Sequence, residues 1–351
     1  MAVASTDVRP TGPASPWIHS RRRDGVLAWC WVPFALAAVV LQGDPLLLQW
    51  MAWGVLVLSL LHQPITLALV YGDAQQFGQR RRLFTWAPIA LAALVFVGLQ
   101  IDFLLVAVIG GLWNTEHTLM QRYGIVRIYR RKQPSAGDFP GRHDLLLLGS
   151  WLLTVLAWTA SSPRTAGRIE SLSLGTANRR SLELLVDIRP YATVLFALLA
   201  GAAAVVTVTW LRRERAAGFD ANPAMYRYVA ASFALFVVAA IHPVAGLLAW
   251  VGSHALEYFL IVVTNLDARY PRESSHRPVL ARATWSPLGV VGVVAVFSVA
   301  VAGLVLVLEV AAPLTLYAMV FFVVGGLHIF YDGVIWKLRR PAIAATFAIE
   351  S

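Results

Sequence analysis

The chain has 351 residues, 58% of them hydrophobic and 14% charged, with a mean hydropathy of +0.65 and a formal net charge of +10. A soluble domain of this size carries about a quarter charged residues, so this composition belongs to the bilayer and excludes a water-soluble globular protein. The single cysteine, Cys30, excludes an internal disulfide and a cysteine-based metal cluster.

Apolar runs of about 20 residues, the length that crosses ~30 Å of hydrocarbon, recur along the whole chain. In order they lie near 26–41, 46–71, 83–99, 102–126, 144–160, 190–210, 227–241, 244–266, 286–308 and 313–336. The pattern predicts an all-α polytopic transmembrane bundle of about ten helices, paired into hairpins by short turns. It divides the chain into a tail over 1–24, one transmembrane domain over 25–340 and a second tail over 341–351. The first run follows a basic stretch as a signal peptide would. With no small-x-small cleavage site before "QGDP", it reads as an uncleaved first helix.

The connections alternate in charge. "RRR" (Arg21–Arg23), "GQRRR" (ending at Arg82), "RIYRRK" (Arg127–Lys132), "LRRER" (Leu211–Arg215), the stretch Ala268–Pro278 and "KLRR" (ending at Arg340) are basic. The turns "LQGDP", "LQID", "IHP" and "EVAAP" hold no Lys or Arg. Lys and Arg resist translocation and pair with anionic headgroups, so one register places both termini and the basic connections in the cytoplasm. It predicts a multi-pass protein of the cell (cytoplasmic) membrane, with lipid rather than nucleic acid as the partner of its positive charge. The polar stretch Ser161–Arg189 reads as an outer loop.

The acids and histidines inside the apolar runs fall on the second helix of each short-turn hairpin. The run 46–71 carries His62, with Asp73 just beyond its end, and the run 102–126 carries Glu116 and His117. The run 244–266 carries His254 and Glu257, and the run 313–336 carries His328 and Asp332. At 100° per residue Glu257 lies 60° from His254 and Asp332 lies 40° from His328, so each pair shares a helix face. Glu116 and His117 stand 100° apart, so at most one of them points squarely at a shared centre. His19, His143, His242 and His276 lie in tails or connections.

An ionisable group in hydrocarbon costs a few kcal/mol unless a partner or a function offsets it. Four neutral imidazoles around one point suit iron, zinc or another divalent transition metal, and a nearby carboxylate can orient a ligand ring. His62, His117, His254 and His328 are therefore the candidate metal ligands. Asp332 and Glu257 are the candidate orienting or acid/base groups, with Tyr258 and Tyr331 flanking them. Two facing histidines could instead bind haem axially, giving an electron carrier, and a His/acid series could relay protons in a transporter. A lone buried histidine is more often packing glue between helices. No inverted repeat and no matched pair of Gly/Pro-broken helices accompanies the set, which weighs against a transporter. Trp336 reads as an interfacial anchor.

The motif "HIFYDGVIWK", from His328 to Lys337, resembles an uncharacterised group of bacterial membrane proteins with an HxxYDGxIWK pattern. His328 with Asp332, and His254 with Glu257, also resemble the Brp/Blh family of membrane carotenoid dioxygenases, while the chain lacks that family's "PHGALD"-like segment. The resemblance implies an intramembrane histidine–iron oxygenase that takes an apolar substrate from the bilayer; an oxidoreductase built on the four histidines could also draw on an electron donor. The resemblance does not extend to carotenoid specificity.

Overall fold

The computed structural model describes residues 15–132, 141–170, 177–219, 222–270 and 278–349, and every regular element among them is a helix. In chain order these are α1 (Arg21–Trp29), α2 (Val32–Leu41), α3 (Pro45–Tyr71), α4 (Ala74–Gly78), α5 (Arg81–Ile101), α6 (Phe103–Arg131), α7 (Arg142–Ser161) and α8 (Thr165–Glu170). There follow α9 (Ala177–Ala216), α10 (Pro223–Ile241), α11 (Pro243–Arg269), α12 (Val279–Thr284), α13 (Gly289–Ala311), α14 (Leu314–Ile335) and α15 (Pro341–Thr346). Among the described residues nine spans, with α1 and α2 counted as one, are long and apolar enough to cross a membrane. α6 is as long, but the polar run Asn114–His117 interrupts its apolar character. The protein is an all-α polytopic bundle.

The turns without Lys or Arg act as helix starts. Asp44 caps α3 by accepting from the backbone N–H of Leu46 and Leu47, and Pro45 supplies the preset φ of a first helical residue. Asp102 caps α6 in the same way at Leu104 and Leu105, and His242 Nδ1 accepts from Ala245 N at the start of α11. α14 begins after Pro313. All four histidine-bearing helices thus start at the end of the bundle opposite the basic connections. His117 and His328 each stand fourteen residues past the first residue of their helix, Phe103 and Leu314.

α11 is the most deeply buried span and packs against α2, α3 and α10. Gly252 lies under the Phe34 ring, where a Cβ would come within 2.8 Å of it, so this glycine lets α2 and α11 approach. α14 packs on α3 and α5, while α7 and α9 form a peripheral pair. The outer faces remain apolar: Val310 is 88% exposed and Val40 78%, as a lipid-facing surface requires.

Three expectations about the connections change. Residues 15–24 of the first tail are folded: Asp24 is buried and accepts from the backbone N–H of Ile18 and His19 and from the Tyr129 hydroxyl. The second tail contributes α15 and buries Ile343, Phe347 and Ile349 against the bundle. The stretch read as an outer loop is largely helical, because α9 begins at Ala177; residues 171–176 and His276 lie outside the described residues. Buried ion networks hold the basic end. Arg130 bridges Asp144 (2.6 Å) and Glu214 (2.8 Å), and Arg269 with Tyr270 clamps Asp73.

Candidate metal centre

The four histidines expected to converge come from α3, α6, α11 and α14, and all four are buried. Their rings form a closed set. Ring centres are 4.8 Å apart for His62–His254, 4.7 Å for His62–His328, 5.1 Å for His117–His254 and 4.8 Å for His117–His328. Across the set, His254 and His328 are 6.4 Å apart. One ring nitrogen from each of His62, His254 and His328 lies within 4.8 Å of the others, and His117, His328 and Asp332 form a second such trio.

These spacings suit a particular coordination. With metal–nitrogen bonds of ~2.1 Å and ring centres roughly 1.2 Å beyond the nitrogens, rings at 90° stand ~4.7 Å apart and opposed rings ~6.6 Å. A tetrahedral set would hold every pair at ~5.4 Å. Four neighbouring spacings near 5 Å with one longer diagonal approach the 90° set, while the nitrogens within 4.8 Å of one another form two trios that share His328. His117 Nε2 and His328 Nε2 lie 3.1 Å apart, a hydrogen-bond distance that is also close to the ~3.0 Å between two ligands at a right angle.

The ring nitrogens of His62 and His254 are the second observation. Both rings are buried and neither nitrogen of either ring has a hydrogen-bond partner; the Leu58 and Ser59 carbonyls lie beside His62 without the alignment of a bond. An unpartnered buried donor or acceptor costs about 1–3 kcal/mol, so two wholly unpartnered imidazoles call for a ligand. The residues fit a metal.

His328 is oriented by a residue that sequence reasoning missed. Thr66, one turn past His62 on α3, is fully buried. Its hydroxyl donates to Asp332 Oδ1 at 2.8 Å and lies 2.8 Å from His328 Nδ1. A hydroxyl has one proton, so with that proton given to Asp332 it accepts from His328 Nδ1–H. The tautomer that results leaves the His328 Nε2 lone pair facing the cluster. Tyr258 also reaches the Thr66 hydroxyl, and donates to Asp332 Oδ1 at 3.2 Å. The signal lay in the sequence: His62 and Thr66 are four apart and share a helix face.

Several expected roles are corrected by these contacts. Asp332 does not hydrogen-bond its own His328; its Oδ2 stands 3.8 Å from His328 Nδ1 and 3.8 Å from His117 Nε2, and Thr66 relays the contact. Trp336 does more than anchor the interface, because its Nε1 donates to Asp332 Oδ1 at 3.1 Å. Tyr331 lies outside the centre: its hydroxyl is 2.7 Å from Tyr71 Oη and 3.3 Å from the Phe84 carbonyl, binding α14 to α3 and α5. Glu257 does not orient His254. It pairs with Arg122 at 3.2 Å in a contact both of whose side chains are 0% exposed, and it accepts from Gln121 Nε2 at 3.1 Å. Arg122 is a fully buried cation inside the apolar run 102–126. It also donates to Ser253 at 2.7 Å and Ser232 at 3.3 Å, tying α6 to α10 and α11. Glu116 is exposed while its neighbour His117 is buried, as their angular separation requires.

Beside the centre a cavity of about 400 Å³ lies between α6 and α14, with His117, Tyr258 and Asp332 in its wall. The size is typical of a small-molecule site. Its other walls are mostly apolar, including Met120, Ile128, Ile261 and Phe330, with Glu116 and Lys337 as charged members.

Compared with family models, curated proteins and solved structures, the chain matches none. The functional reading rests on the site.

Proposed function

We propose that this protein is a metal-dependent oxidoreductase of the cytoplasmic membrane, binding iron through His62, His117, His254 and His328 and acting on an apolar substrate that enters from the bilayer. The observation that carries this reading is the closed set of four rings, two of them with no other partner for either nitrogen. Imidazole suits iron, copper, nickel and zinc alike, and spacing near 90° favours iron, copper or nickel over tetrahedral zinc. When bound, iron supplies Lewis acidity and one-electron chemistry.

The chain's own residues have separable tasks. Thr66 keeps the His328 proton on Nδ1. Asp332 faces both the centre and the cavity, where it can take or return a proton; Trp336, Tyr258 and Thr66 hold its carboxylate. The apolar cavity wall excludes water from the reacting region.

A haem carrier fits less well: His254 and His328, 6.4 Å apart, have an axial spacing, but the His62 and His117 rings, each within 5.1 Å of both, occupy the plane a macrocycle would need. A proton relay needs a continuous hydrogen-bonded chain, and His62 and His254 interrupt one. Elemental analysis of the purified protein, with optical and electron paramagnetic resonance spectra, separates the readings. About one iron per chain, without a haem Soret band, is the expected result. Protein that remains metal-free after reconstitution with Fe(II), Cu(II) and Zn(II) would overturn the proposal.

A further inference from the structure

The cavity and its surroundings carry an inference about what occupies them, which rests on the function proposed above for the centre. Four observations bear on it. The first is access: Glu116, Met120, Gly333 and Lys337, all in the cavity wall, are exposed, so the space opens to the surface between α6 and α14. His117 and Asp332, in the same wall, are buried. The second is the glycines. Gly124 on α6 and Gly333 on α14 both line the cavity, and a Cβ on either would meet nothing within 4 Å. One such position on each helix leaves the space open for a chain.

The third observation is a second depression of about 430 Å³ against α5, lined by residues such as Leu83, Trp86, Leu94 and Leu327. It shares Trp113 and Phe330 with the first cavity, so the two are neighbours divided by these rings. Two adjoining apolar troughs suit two chains of one molecule. The fourth is charge. At the basic end Arg340 Nη1 donates to Gln79 Oε1 at 3.3 Å, which brings the segment after α14 beside the start of α5. Partial burial, with Arg80 and Arg339 close by, pushes the Arg340 guanidinium below its usual value. Arginines gathered at such an edge recognise phosphate.

We infer that the α6–α14 cavity and the neighbouring α5 groove bind an anionic two-chain phospholipid, one chain in each trough, with the phosphate at Arg80, Arg339 and Arg340. The depth then defines where the substrate meets the centre. Ile335, the last residue of α14, is seven residues past His328, or ~10 Å at helical rise, so the centre lies below the headgroup level and faces the middle of an acyl chain. The substrate class is therefore an acyl lipid presented in mid-chain, with its headgroup retained at the membrane surface.

The test uses the full chain, purified and placed in phosphatidylcholine nanodiscs containing a phosphatidylglycerol with a mid-chain diazirine. After photolysis, peptide mapping locates the label and elemental analysis of the same sample measures the metal. Label concentrated on Met120–Ile128 of α6 and Ile329–Val334 of α14 is expected. Gly124→Phe with Gly333→Phe should abolish it without loss of metal, and Arg80→Gln with Arg340→Gln should remove the advantage over a phosphatidylcholine probe. Label spread evenly over the lipid-facing helices, or equal with both headgroups in the unaltered protein, overturns the inference. If the filled-cavity variant does not fold, the label map of the unaltered protein decides. Selective label without metal would remove the metal reading and leave the lipid site, and metal without selective label would do the reverse.

Discussion

The Thr66 hydroxyl lies 2.8 Å from His328 Nδ1 and donates to Asp332 Oδ1 at 2.8 Å, so one buried oxygen on α3 joins a histidine and an aspartate on α14. Through it the helix that carries His62 also sets the proton position of His328. Substituting this oxygen is the most direct test of the arrangement. Thr66→Val keeps the volume and removes the hydroxyl, so His328 Nδ1–H loses its acceptor. Metal affinity should fall roughly 10–100-fold, the usual effect of removing a group that orients a ligand. Thr66→Ser should retain most of it. Titration with Fe(II) followed by elemental analysis reads both variants; equal affinity in Thr66→Val would remove Thr66 from the site.

Ligands and their supports should separate. His254→Ala and His328→Ala are each expected to abolish bound metal, because each opens a position in a buried site. Asp332→Asn should leave metal bound, with affinity or turnover lowered roughly 10–100-fold. Tyr331→Phe should leave metal binding unchanged, since its hydroxyl is engaged with Tyr71 and Phe84 instead. Metal retained in His328→Ala would contradict the ligand assignment.

The Arg122–Glu257 pair predicts a stability effect distinct from metal loss. Arg122→Met leaves the Glu257 carboxylate buried without its cation, which typically costs about 3–5 kcal/mol. Arg122→Met with Glu257→Leu removes both charges and should recover much of that loss. Thermal unfolding in detergent measures each variant, and a double variant no more stable than Arg122→Met would show that the pair is more than mutual neutralisation.

Orientation can be tested with fused reporters. Fusions after Lys132, Arg215 and Arg340 should report the cytoplasm, and one within residues 171–176 should not, because this connection (Ser161–Arg189) falls between two basic cytoplasmic ones and is long enough to cross despite its five Arg. A cytoplasmic signal from 171–176 would invert the assignment of α7 and α9.

The helical period made part of the site legible. His62, His117, His254 and His328 could be selected because an ionisable side chain in an apolar run is conspicuous against its neighbours. Their supporting groups were harder to choose. Asp332 and Glu257 share a face with their histidines, yet a shared face within one helix does not say which neighbouring helix supplies the partner. Glu257 found Arg122 on α6, and Tyr331 found Tyr71 on α3. Thr66 escaped notice because a threonine in a membrane helix is ordinary until a histidine from another helix arrives beside it.

What the sequence determined by itself was the all-helical membrane class, the turns that start the four histidine helices, and the histidines as a set. These follow from local quantities: run length, hydropathy, caps and the angle per residue. Only the tertiary structure decided that the four rings lie against one another in a closed ring of contacts, that Thr66 stands between His328 and Asp332, and that α6 and α14 part to leave a cavity. Such features depend on how α3, α5, α6, α11 and α14 rotate and tilt against one another. Those choices are made by contacts between residues far apart in the chain, which no single helix encodes.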